Sequence, residues 1–177
     1  MRRLWVLAAT MLLAVPLAAA RERADSVMVR GDVLKPGSWG IEDLRRQFAK
    51  EVRTVTFTPG TDKPQETGTG MPLLALIQAA GPKVEKVPKH YDLTFFVILE
   101  ARDGYRVYFS MAELLPQCGD ARVWLVWDSN GKPLPDREAP LRLVVSSDHG
   151  HDRYIYAIKA VTLVDGNKLA AGLAAGK

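Results

Sequence analysis

The sequence predicts an α+β domain built mostly of strands. Three observations carry that reading. The second half is a succession of apolar, β-branched and aromatic runs cut by Asp103-Gly104, Asn130-Gly131 and Asp165-Gly166. Helical spacing is confined to a few short segments. The 177 residues are 47% hydrophobic and 25% charged, with 14 Gly and 11 Pro, proportions that exclude a disordered, collagenous or coiled-coil chain.

The N-terminus reads as an export signal rather than as part of the fold. Met1-Arg2-Arg3 is a basic start, Leu4 to Leu17 a nearly unbroken apolar run, and Ala18-Ala19-Ala20 a small-residue cleavage site. The run is short for a bilayer span, and no second one follows. Cleavage after Ala20 would leave 157 residues, enough for one domain with a sizeable core. It would also leave 22 Lys and Arg against 20 Asp and Glu, a net charge of about +2. No basic stripe with interleaved aromatics occurs, so nucleic acid is not an expected partner. The expected location is the periplasm. The lone Cys118 can form no intramolecular disulfide, and it reads as a small, partly buried side chain after a helix.

In chain order, Val27-Met28-Val29 and Val33-Leu34 are short extended pieces, and Lys35 to Gly40 is a turn. Ile41 to Lys50 is a short amphipathic helix, with Ile41, Leu44 and Phe48 on one face. Val52 to Phe57 is a β-branched strand, and Thr58 to Gly70 a polar loop rich in Gly and Pro. Pro72 to Ala80 is a helix closed by Gly81-Pro82, and Lys83 to His90 a polar connection. Asp92 to Ala101 and Tyr105 to Phe109 form a hairpin around Asp103-Gly104. Ser110 and Glu113 make a capping box for a helix over Met111 to Leu115. Strands follow at Val123 to Trp127, Leu141 to Val145 and Tyr154 to Val164, with a turn at Ser129-Asn130-Gly131. Asp165-Gly166 stops the last strand, and Leu169 to Lys177 is an Ala/Gly-rich tail that frays or forms a weak helix. Phe95, Phe96, Tyr105, Tyr108 and Phe109 read as core residues.

The richest polar cluster, Ser146 to Tyr154, joins two strongly apolar strands, so a rigid sheet edge would hold its ends. Three readings compete. His149 and His151, flanked by Asp148 and Asp152, could bind a metal, with His90 as the one further imidazole. The loop could be a solvated turn. It could also hold a flat polar ligand: Asp148 accepting from ring amines, Arg153 reaching carbonyl or phosphate oxygens, His149 or Tyr154 offering a stacking face. Ser146 and His149 lack a nucleophile-elbow pattern, and Gly68-Thr69-Gly70 is too short for a phosphate cradle.

Four blocks together resemble a known family. They are Gly70 to Gly81; Ala101 to Leu114, reading ARDGYRVYFSMAEL; Asn130 to Leu134; and Ala139 to Asp148, followed by Arg153-Tyr154-Ile155-Tyr156. In order and spacing they resemble the sulfite-oxidase-type molybdopterin-binding domain, above all its small stand-alone exported versions, from about Val27 to Val164. The resemblance implies layered mixed β-sheets with a few short helices and a pterin cleft lined by loops. On this basis residues 1–20 are a signal peptide, 21–166 a single molybdopterin-binding-like domain, and 167–177 a flexible tail.

The departures from the family decide the expected function. Catalytic members hold molybdenum through a cysteine in the loop after the strand equivalent to Val52 to Phe57. Here that loop reads Thr58-Pro59-Gly60-Thr61-Asp62-Lys63-Pro64, and Cys118 does not match the position. A threonine hydroxyl does not replace a soft thiolate ligand, so the molybdenum cofactor and a redox role are not expected. Arg2-Arg3 lacks the rest of a twin-arginine signal, which favours export of an unfolded chain without a preloaded cofactor. The resemblance to stand-alone relatives implies a non-catalytic periplasmic protein that binds a free pterin and regulates a membrane-bound cyclic-di-GMP enzyme through its periplasmic domain. Its expected ligand contacts are Asp148, His149 and Arg153, with Ser147, His151 and Tyr154 around them. The alternative is a molybdopterin-dependent oxidoreductase with unusual ligation, or a subunit of one; a third is a structural partner whose cleft has closed.

Overall fold

The structure, a computed structural model, describes residues 25–84 and 89–176. The expected signal peptide lies outside the described residues, as does part of the 83–90 connection. The chain begins with strands β1 (Ser26–Gly31) and β2 (Gly37–Gly40), helix α1 (Ile41–Gln47), strands β3 (Arg53–Phe57) and β4 (Glu66–Pro72) and helix α2 (Leu73–Ala80). A single 3-10 turn, Tyr91–Thr94, leads into β5 (Phe95–Ala101), β6 (Arg106–Ser110) and helix α3 (Met111–Leu114). Then come β7 (Val123–Val126), the short ribbon β8 (Asp128–Ser129) and β9 (Lys132–Pro133), β10 (Arg142–Val145), β11 (Ile158–Asp165) and helix α4 (Gly166–Ala175).

Two sheets face each other across one core. The first runs β2-β1-β11-β5-β6 and the second β10-β7-β4-β3. β1 and β11 pair in parallel, Met28 opposite Ala160, so the two ends of the domain meet in the middle of the first sheet. All other pairs in these sheets are antiparallel. On β5 the period of two sends Phe95, Val97 and Leu99 fully inside. The core joins Val29, Leu99 and Leu163 of the first sheet to Met71, Leu125 and Leu143 of the second, with Leu44 of α1 and Leu76 of α2 packed against them. That burial is the main drive for the fold, since the chain has no disulfide.

Several elements differ from the sequence reading. Gly37–Gly40 is not only a turn; it pairs with β1 as an edge strand. Glu66 to Gly70 is not loop but most of β4, the partner of β3 from Phe57 opposite Glu66 to Arg53 opposite Gly70. Its glycines hid it, and they are there for contact: a Cβ on Gly70 would lie 2.2 Å from the Leu125 carbonyl oxygen of β7. The last strand starts at Ile158, not Tyr154. Asp165 does end that strand, and its carboxylate accepts from the Asn167 N–H at 2.9 Å to cap α4, so the tail takes the helical form of the two expected. Cys118 is exposed rather than partly buried. Of the five aromatics read as core, Phe95 and Phe109 are buried, while Phe96, Tyr105 and Tyr108 are 44%, 53% and 59% exposed. Alternation along β5 and β6 puts Phe96 and Tyr108 on the outer face, which composition alone does not reveal.

Gly70→Ala should destabilise the domain by on the order of 3 kcal/mol, because a backbone carbonyl rather than a pliant side chain blocks the new methyl. Urea unfolding checks this; a midpoint equal to wild type would mean the sheet has slack there.

Candidate functional site

The Ser146 to Tyr154 loop is tied down at its start, middle and end. At the start, the Ser146 N–H donates to the Arg122 carbonyl at 2.9 Å, and the Ser147 hydroxyl accepts from the Arg122 N–H at 3.3 Å. At the end, the Leu143 N–H donates to the Ile155 carbonyl at 2.8 Å, holding the returning chain against β10. In the middle, Arg153 forks onto Asp148, Nε to Oδ2 at 2.8 Å and Nη2 to Oδ1 at 2.5 Å. Its third arm, Nη1, donates to Glu113 Oε1 at 3.0 Å, and its guanidinium carbon lies 4.8 Å from the Phe109 ring centroid. The Asp148 bond, and then Glu113, hold the Arg153 pKa above its ordinary value against the opposing effect of burial.

Glu113 connects this clasp to a helix start. Its Oε2 accepts from the Ser110 N–H at 2.8 Å, and the Ser110 hydroxyl accepts from the Glu113 N–H at 3.3 Å, completing the capping box of α3. One carboxylate therefore caps α3 with one oxygen and anchors the loop with the other.

Opposite the loop stands the segment that follows β3. Thr58, Gly60, Thr61, Asp62 and Gln65 face Ser146, Asp148, His149, Gly150, His151, Asp152 and Tyr154 across a cleft of about 580 Å³. Phe57 and Tyr154 meet edge to face at its inner wall, ring centroids 6.0 Å apart. Burial and then the Asp148 charge push the Tyr154 hydroxyl pKa up, so the phenol stays a neutral donor at physiological pH. Behind Phe57 sits Arg142, its guanidinium carbon 5.2 Å from the Phe57 ring and 4.7 Å from that of Tyr156. Arg142 is buried and pairs with Glu66 and Glu138, each at 2.9 Å. The Ser129 hydroxyl also donates to Glu66, at 2.8 Å. Burial raises the Glu66 pKa, but the bonds from Arg142 and Ser129 outweigh it and leave the carboxyl below its ordinary value.

The structure thus gathers Asp148, His149, His151 and Tyr154 at one cleft. Ser147 is turned to Arg122, and Arg153 to Asp148 and Glu113; neither lines the cleft. Asp152, noted from sequence only as a flanking carboxylate of the two histidines, joins the lining, and so does Asp62, which the sequence did not single out. The metal reading finds no support: among the described residues no three His, Cys, Asp or Glu side chains are grouped to hold an ion. His90 lies beside the Tyr91–Thr94 turn, away from the cleft.

The donor set is a poor match to a molybdenum–pterin cofactor. The described lining holds three carboxylates, Asp62, Asp148 and Asp152, with no Lys, Arg or Cys. A thiolate ligand for the metal is missing, and a phosphate would meet like charge. The same wall suits a neutral, donor-rich ring edge, which carboxylates recognise well.

The profile of the family described as the oxidoreductase molybdopterin binding domain matches residues 13–167. No curated protein matches the chain. Among solved structures it is similar to the sulfane dehydrogenase SoxCD from Paracoccus pantotrophus, at 21% identity and a TM-score of 0.60, covering 81% of this chain. The match spans 39% of that solved chain, so the present sequence corresponds to well under half of it. The two packed sheets with short helices are the sulfite-oxidase-type molybdopterin-binding fold that the sequence blocks implied.

Glu66 supplies a pH dependence whose sign is fixed. Its folded pKa lies below the unfolded value, so its stabilisation is full above about pH 5 and is lost as pH falls through the lowered folded value. Urea midpoints should drop between about pH 5 and pH 3, and Glu66→Gln should flatten that drop. An equal drop in the variant would assign the acid sensitivity elsewhere.

Proposed function

The chain belongs to the oxidoreductase molybdopterin-binding domain family, and on that premise we propose that it is a non-redox binding protein for a free, unphosphorylated pterin or a similar flat heterocycle. The observation that carries this reading is the cleft wall, acidic and without thiolate or cation among the described residues. Asp148 and Asp152 would accept from the exocyclic amine and ring N–H groups. The Asp148 oxygens each keep a lone pair free after bonding Arg153. His149 or Tyr154 would provide the stacking face, and Arg153 would act by holding Asp148 in place rather than by touching the ligand. His151 stands beside Gly60 across the cleft, where a Cβ on Gly60 would lie 3.8 Å from its Nε2.

The proposed setting is the periplasm, where occupancy of the cleft would be signalled to the periplasmic domain of a membrane-bound cyclic-di-GMP enzyme. A second reading, a molybdopterin-dependent oxidoreductase or a subunit of one, is favoured by the likeness to SoxCD, a sulfane dehydrogenase. That reading requires a metal ligand from outside the described cleft.

Titration of the purified protein with a tetrahydropterin and with its phosphate ester separates these cases. The unphosphorylated ring should bind saturably and more tightly than the ester. Asp148→Ala and Asp152→Asn should each weaken it about tenfold or more, the loss of one charge-assisted contact. Absence of binding at about 1 mM ligand, or preference for the ester, would overturn the proposal.

A further inference from the structure

The first sheet has a core face and an outer face, and the outer one is unusual. Strand register lines up Met28, Ala160, Glu100 and Arg106 in one row across it, and Arg30, Thr162, Ile98 and Tyr108 in the next. Phe96 lies one row further along β5, opposite Val164. Met28, Phe96 and Tyr108 are 41%, 44% and 59% exposed, so three large apolar side chains stand on one face at two-residue spacing. Glu100, nearly buried at their centre, takes Arg30 on one oxygen at 3.0 Å and both Arg106 and Lys159 on the other at 3.1 Å. One carboxylate against three cations leaves a surplus of two positive charges, and each cation is still about half exposed.

Charge decides what such a face can meet. A second copy would set one cationic cluster against another. A membrane gains about 1 kcal/mol per cation near an anionic surface, so a surplus of two is too little to hold the protein there. A protein surface with exposed carboxylates matches both features, since Tyr, Phe, Met and Arg are enriched at protein interfaces and Tyr and Arg are common among the residues that carry binding energy.

We propose that this sheet face docks an acidic patch of a partner protein. Tyr108 and Met28 are the apolar anchors, and Arg30, Arg106 and Lys159 pair with the partner's carboxylates. The inference rests on the reading of the protein as one that acts through a partner, and not on what the cleft holds. Glu100 preorganises the cations, so that little side-chain freedom is lost on docking.

The test places a photoreactive phenylalanine analogue at Tyr108, and at Lys132 as a control on the distant ribbon, in cells of the source organism. Position 108 should give one discrete adduct with another protein. With that protein purified, binding should weaken tenfold or more in Tyr108→Glu and several-fold in Arg106→Gln, and should fall as salt is raised. Circular dichroism and urea unfolding of the same variants should match wild type, which shows that they fold. No adduct, an adduct with lipid or with a second copy, equal yields at both positions, or unchanged affinity in Tyr108→Glu would overturn the proposal. Partner binding that survives where wild type binds no pterin would remove the cleft reading and leave this one standing.

Discussion

The bidentate pairing of Arg153 with Asp148 governs what the cleft can offer a ligand. Had the guanidinium been free, the loop would present a cation suited to phosphate or carboxylate. Its fork is closed on Asp148, its remaining arm on Glu113, and its face on Phe109, so the charge is consumed within the protein. What faces the cavity is therefore carboxylate, imidazole, hydroxyl and phenol. The same pairing gives the loop a fixed shape, because it links residues five apart in sequence to a helix start on another element.

A second buried arginine sets the wall behind that loop. Arg142 fills β10 where a strand buried on both faces would ordinarily carry an aliphatic residue. Two carboxylates and two aromatic rings surround it, although its Nε atom has no hydrogen-bond partner. Burying such a charge is costly unless it is well paired. Here the pairing joins β10 to the start of β4 through Glu66 and to the segment before β10 through Glu138, while Phe57 carries the contact on to Tyr154. The inner wall of the cleft and the stability of the second sheet thus share one ion network.

Much of this was legible in the sequence because the physics was local. The Ser110-x-x-Glu113 pattern reads directly as a capping box, and the 146–154 loop announced itself as polarity between two buried strands. What stayed hidden depends on distance in space. Glu113 belongs to the site only because its second oxygen reaches Arg153, forty positions away. The capping motif was the one signal that could have drawn attention to it. β4 was hidden because close approach to β7 demands glycine where propensity would ask for Val or Ile. Phe96 and Tyr108 were misplaced because β-propensity is the same on either face of a sheet, and only strand alternation in the assembled sheet assigns the side.

The protein taken from its own cells reveals whether, as proposed, the cleft holds a free pterin and no molybdenum. Elemental analysis and mass spectrometry of the small molecules that co-purify should find a pterin without phosphate, and molybdenum far below one atom per chain. One molybdenum atom per chain, accompanied by a phosphorylated dithiolene pterin, would contradict the account.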